Sequence, residues 1–97
     1  MRKKDRIVRK YGKIDDNHTS IVKALRKCGC SVQSLASVGG GCGDILCGYR
    51  KRNFLIEIKT ATGKLTPDET DFHATWRGQI AVARTFEEAW AVVNGKG

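Results

Sequence analysis

Gly39-Gly40-Gly41-Cys42-Gly43-Asp44-Ile45-Leu46-Cys47-Gly48, followed after a basic turn by Asn53-Phe54-Leu55-Ile56-Glu57-Ile58-Lys59, is the stretch that decides how this chain folds. A glycine-rich loop delivers an aspartate onto the first of two short apolar runs. The second run carries a glutamate and a lysine two residues apart. Side chains alternate across a strand, so Leu55, Glu57 and Lys59 share one face while Phe54, Ile56 and Ile58 share the other. Apolar residues on both faces imply a covered strand. A carboxylate and an ammonium in such a strand are costly unless they are paired, bind a metal or face a cleft.

Outward from this pair, the chain reads as alternating elements. Upstream, Ser31–Leu35 has the pattern of a strand. Before it, Ile21, Val22, Leu25 and Cys28 recur at helical spacing, which predicts a helix from about Asn17 to Cys28, capped by an aspartate of the Asp15-Asp16 pair and stopped by Gly29. Strands are expected at Asp44–Tyr49 and Phe54–Lys59, joined by a tight turn over residues 50–53. The three strands are close enough in sequence for an antiparallel meander. Downstream, Thr66-Pro67-Asp68-Glu69 combines an N-cap threonine, a proline at the first helical position and a capping-box glutamate. That helix is expected to end at about Trp76, with a short strand over Gln79–Arg84. Thr85-Phe86-Glu87-Glu88 repeats the capping pattern and opens a last helix. Trp76 and Trp90 fall at helical core positions. The order predicts an α/β fold in which helices flank one mixed sheet.

Ninety-seven residues make one domain. The formal charge of +8 is uneven. Arg2, Lys3, Lys4, Arg6, Arg9, Lys10 and Lys13 face only Asp5 within residues 1–13, so this arm carries most of the excess. A basic arm on a nearly balanced domain, residues 14–97, suits phosphate-backbone attraction; the plainer reading is a solvated tail. Arg50, Lys51 and Arg52 form a second basic group, open to phosphate contact or to simple solvation. No apolar run approaches the roughly 20 residues needed to span a bilayer, and no signal-peptide pattern is visible, so a cytoplasmic location is expected. The four cysteines then read as reduced thiols, Cys28 and Cys47 as small core residues; their spacing is a poor match to structural zinc.

Asp44 and Glu57 are the candidate metal ligands. Two neighbouring carboxylates favour a hard cation, and Mg²⁺ or Mn²⁺ suits oxygen donors; the carbonyl of Ile58 is a third candidate ligand. Lys59 is placed to orient a water or to stabilise charge developing on a phosphate. The plain alternative is an ordinary charge pair between Glu57 and Lys59.

The arrangement resembles the PD-(D/E)XK nuclease superfamily, and most nearly its small phage and bacterial stand-alone members of the VRR-NUC type. The resemblance spans roughly residues 14–93. It rests on Asp15-x-Asn17-His18, the glycine loop ending in Asp44, Ile56-Glu57-Ile58-Lys59, Leu65-Thr66-Pro67-Asp68-Glu69 and His73-x-x-Trp76-x-Gly78. It implies a restriction-endonuclease-like αβββαβ core, here with an added C-terminal helix. It also implies Mg²⁺- or Mn²⁺-dependent hydrolysis of DNA phosphodiesters, with Asp44 and Glu57 as ligands and Lys59 as the catalytic lysine. Similar stand-alone nucleases work as homodimers on branched DNA. The proline usual before the aspartate is Gly43 here. The second-helix glutamine is absent, Glu69 and Thr70 occupying its neighbourhood, and His73 is a further second-helix candidate. In the first helix Asn17 is the nearest candidate contributor and Asp16 the next. The expected function is thus a metal-dependent endodeoxyribonuclease, and the rival is a non-catalytic nucleic-acid-binding module on the same fold.

Overall fold

Alternation along the two apolar runs builds the centre of the sheet. The computed structural model describes the backbone of residues 8–95 and the side chains of residues 17–95. Strands β2 (Ile45–Tyr49) and β3 (Arg52–Ile58) pair antiparallel, with Ile45 opposite Ile56 and Cys47 opposite Phe54. These four side chains are at most 3% exposed and form the middle of the core. Burying an isoleucine of this kind contributes roughly 1.5–3 kcal/mol. The connection is tighter than the expected four-residue turn. Arg50 and Lys51 alone form it, both in the left-handed region (φ 52° and 66°), and Arg52 and Asn53 belong to β3. A two-residue turn with positive φ at both positions matches the twist of the flanking strands.

Strand β1 (Ser31–Ser34) adds antiparallel to β2, completing the expected meander. The chain then passes from β3 through helix α2 (Pro67–Thr75) to strand β4 (Ile80–Ala83), which pairs parallel with β3. The result is a small α/β fold with a four-stranded mixed sheet in the order β1-β2-β3-β4 and three helices. Helices α1 (Val8–Lys27) and α3 (Phe86–Asn94) pack against one another and close the sheet face that bears Ile45 and Ile56. Ile21 and Leu25 come from α1, Ala89 and Val93 from α3. Among the described residues, no helix is long and apolar enough to cross a membrane.

Helix α1 starts at Val8, nine residues before the expected Asn17. Asp15 and Asp16 therefore lie within the helix and do not cap it, and the second half of the basic arm is helical backbone. Residues 8–16 are dense in charge and include Gly12, a weak helix former, which is why the sequence pattern located only the later part. Arg2, Lys3, Lys4 and Arg6 lie outside the described residues, as do the side chains of Arg9, Lys10, Lys13 and Asp16.

Two further expectations change. Trp76 is 47% exposed, because α2 ends at Thr75 and the extended backbone at Trp76 carries its ring off the helix to stack on Phe72. Cys30 joins Cys47 in the core, whereas Cys28 is half-buried; all four thiols are free. The capping signals fare differently at the two helices. At α2 both halves of the box form: Glu69 N–H donates to Thr66 Oγ1 and Thr66 N–H to Glu69 Oε1. At α3 the Thr85 hydroxyl caps Glu88 N–H, but the Glu88 carboxylate accepts from Arg84 N–H, one residue further back.

The glycine loop is folded against the start of α2. Gly41 has φ +83°, and a Cβ there would meet the Asp68 carbonyl oxygen at 2.6 Å; Gly39 has a similar φ of +78° with open space around it. Gly41→Ala should therefore destabilise the fold by about 2–4 kcal/mol, against about 1–2 kcal/mol for Gly39→Ala, which carries the backbone cost alone. Denaturant unfolding of the two variants checks this, and equal losses would contradict the packing described.

Candidate active site

The site forms where β2 begins and β3 ends, one residue outside each strand. Asp44 sits just before Ile45, and its N–H donates to the Ile56 carbonyl at 2.9 Å, so it is still held by the ladder. One residue pair further, the backbone of β2 has turned away. The Asp44 carboxylate takes its place: Ile58 N–H donates to Asp44 Oδ2 at 2.7 Å. A residue's N–H and carbonyl share one edge of a strand, so the Ile58 carbonyl lies on this same side. Gly43 makes the turn possible, with φ +108° and the Ile56 carbonyl 3.2 Å from where a Cβ would stand. Proline, fixed near φ −65°, cannot take that position. The loop therefore enters the aspartate by a different backbone path from one that carries proline there.

Glu57 follows on the opposite sheet face from Ile56 and Ile58. It is 5% exposed, the one buried charged residue among those described. Its carboxylate meets Lys59 Nζ at 3.3 Å. Lys59 Nζ also lies 2.8 Å from Glu69 Oε1, the oxygen that accepts from Thr66 N–H. The capping-box glutamate of α2 thus does two things at once. Glu69 was read from the sequence as a structural cap; its second partner comes from the fold, which swings the first turn of α2 over the strand end.

The electrostatics follow from this crowding. Burial pushes the Glu57 carboxyl up to about 7, and the charges of Asp44 and Glu69 push it in the same direction against the pull of Lys59. Burial works against the Lys59 ammonium, but its bonds to Glu69 and Glu57 prevail and hold it above the usual lysine value. Burial also raises Glu69, and the contacts to Lys59 and Thr66 outweigh it, leaving that carboxylate below its usual range. One ammonium does not neutralise three carboxylates. The donor set fits a hard divalent cation: two carboxylates, Asp44 and Glu57, and a main-chain carbonyl, that of Ile58, all oxygen. Among the described residues no group of three or more His, Cys, Asp and Glu side chains is gathered as a metal site. Water would supply the remaining ligands, as Mg²⁺ commonly retains several.

The first helix closes the other side. Asn17 Nδ2 donates to the Lys59 carbonyl at 3.4 Å, bringing the first-helix candidate to the strand end. A cleft of about 470 Å³ opens there, lined by Asn17, His18, Asp44, Ile58, Lys59 and Thr60. Of the second-helix candidates, Thr70 is exposed and its N–H is spent on the Thr66 carbonyl. His73 is half-buried, and its Nε2 is enclosed with no hydrogen-bond partner.

The basic hairpin lies apart from all this. Tyr49 opposite Arg52 is the far end of the β2–β3 ladder, and five residues of strand, about 16 Å, separate it from Asp44. Arg52 donates to the carbonyls of Val93 and Gly95 at the end of α3, and Arg50 lies over the Tyr49 ring. Structural contacts thus occupy both guanidinium groups, and Lys51 at the tip is exposed.

No protein-family model matches this chain, and neither a curated protein nor a solved structure does.

The raised Glu57 has a consequence for stability. The folded chain holds that proton up to about pH 7, whereas the unfolded chain releases it near the ordinary value of 4.5. The contribution is therefore complete below the ordinary value and is lost as pH rises through 7. In EDTA, the wild type should lose about 1–3 kcal/mol between pH 5 and pH 8 relative to Glu57→Gln. Added Mn²⁺ should restore the wild type alone. Chemical denaturation at the two pH values measures both effects, and parallel behaviour of the two proteins would contradict the site's electrostatics.

Proposed function

We propose that this chain is a Mg²⁺- or Mn²⁺-dependent endodeoxyribonuclease of the PD-(D/E)XK type. The observation that carries the proposal is the strand end itself. Asp44 and Lys59 line a cleft there between α1 and the sheet, and the buried Glu57 pairs with Lys59 behind it. The element order, one helix, three antiparallel strands and a helical crossover to a parallel fourth, supports a restriction-endonuclease-like core with α3 appended.

Asp44, Glu57 and the Ile58 carbonyl would hold the cation. Bound in such a site, a divalent ion polarises a phosphoryl oxygen and lowers the pKa of a coordinated water. The chain's own groups do the positioning. Ile58 N–H fixes the Asp44 carboxylate through Oδ2, leaving Oδ1 for a ligand. Glu69 anchors the Lys59 ammonium at the strand end, where it stabilises negative charge gathering on the phosphate. In the overall hydrolysis a water oxygen bonds to phosphorus, the P–O bond to the leaving sugar oxygen breaks, and that oxygen takes up a proton.

The substrate in this reading is DNA, branched or otherwise structured. A homodimer would put two such sites on opposite strands; that step, like the branched substrate, is analogy to the family and not a property of the fold.

Cleavage of labelled linear, flapped and four-way-junction DNA with Mg²⁺, Mn²⁺ or EDTA tests the proposal. The wild type should cut only with metal, and Asp44→Asn and Lys59→Ala should each lose about 10³-fold or more. Both variants should still shift DNA on a gel. Metal-independent shifting with no cleavage by any of the three proteins would replace the nuclease by a binding module.

A further inference from the structure

A second groove runs beside the cleft along helix α1. Its volume is about 580 Å³, and it runs between the last turns of α1 and the edge strand β1. His18 and Thr19 line both depressions, so the groove lies next to the cleft beside Asp44 and Lys59. From Asn17 to Lys27 the helix rises about 15 Å, the reach of a few nucleotides.

Its composition is specific in two respects. Lys23, Arg26 and Lys27 form the rim on α1, and among the described residues no acidic side chain lines the groove. Arg26 is braced across it, donating to the Val32 carbonyl of β1 at 3.0 Å. The floor is apolar, offered by the half-buried Val22 and Val32 over the fully buried Ile45. A phosphate backbone needs the rim and has no use for the floor. A duplex keeps its bases stacked inside and presents only sugars and phosphates to such a surface. An unpaired nucleotide uses both parts: phosphates on the cations, and a base face on the branched side chains and the alkyl stems of Lys23 and Arg26.

We infer that this groove receives an unpaired stretch of the DNA strand that flanks the scissile phosphate. The inference rests on the nucleic-acid reading above and narrows it: the substrate is a strand with single-stranded character on one side of the cut. The basic residues of the last turn also complement the helix dipole. That role accounts for their charge, though not for an apolar floor between them or for the groove's place next to the cleft.

The test is equilibrium binding of the full chain in EDTA, by fluorescence anisotropy at one fixed ionic strength. The probes are a blunt duplex and the same duplex carrying a single-stranded thymidine tail. The tailed duplex should bind about 3- to 10-fold more tightly, at the low end of what an aromatic platform gives per base because this floor is aliphatic. Val22→Gln should reduce that preference to about twofold or less and leave blunt-duplex binding unchanged. Lys23→Glu, at an exposed position, should weaken the tailed probe more than the blunt one, and guards against misfolding of the first variant. Equal binding of the two probes, or a tail preference that survives both variants, would overturn the inference. So would variant-sensitive binding of polyglutamate or phosphatidylserine vesicles without any tail preference. Because no metal is present, these outcomes are separate from the cleavage result and neither decides the other.

Discussion

The hydrogen bond from Ile58 N–H to the Asp44 carboxylate is the constraint on which the rest depends. Where β2 runs out, the sheet would otherwise leave the last amide of β3 without its ladder partner, and a buried N–H left unpaired costs about 1–3 kcal/mol. Asp44 supplies the missing acceptor from a side chain. In doing so it fixes a carboxylate at the strand end, beside the two residues that follow from strand alternation, Glu57 on one face and Lys59 beyond it. A repair of the sheet and the assembly of a charged site are the same event. The glycine loop is bent to permit it, through left-handed backbone at Gly41 and Gly43 and close packing on Asp68 and Ile56.

The charges gathered there oppose folding more than they favour it. A carboxylate at 5% exposure beside two others is held by a single ammonium. Such an arrangement persists in a small domain when the surrounding structure fixes it, and here three elements do so: the β2–β3 ladder, the capped first turn of α2, and Asn17 of α1. Glu69 gives this its clearest form, because its one oxygen both closes the helix cap and holds the lysine. Helix start and site geometry are thereby tied together.

Much of this was legible in the sequence, and the remainder fails for identifiable reasons. Alternation gave the β2–β3 pair and the faces of Glu57 and Lys59, since both are properties of a strand alone. The capping box at Thr66 likewise needs only four consecutive residues. What escaped was set by contacts between distant segments. Glu69 meets Lys59 only because α2 crosses the strand end. Arg52 belongs to the end of α3, not to a free hairpin tip. Trp76 keeps helical spacing in the sequence, yet the helix stops one residue short of it. The first half of α1 is dense in charge and carries Gly12, so its sequence did not announce a helix, and Arg50–Lys51 adopt a glycine-like turn without glycine.

The central claim is that Asp44 and Glu57 hold a divalent cation at the end of the sheet. Isothermal titration of Mn²⁺ into the chain, beside Asp44→Asn, measures this without reference to any substrate. The account predicts saturable binding at one ion per chain, lost or weakened at least about 10-fold in the variant. Equal binding by the two proteins, or no saturable binding by the wild type at neutral pH, would contradict it.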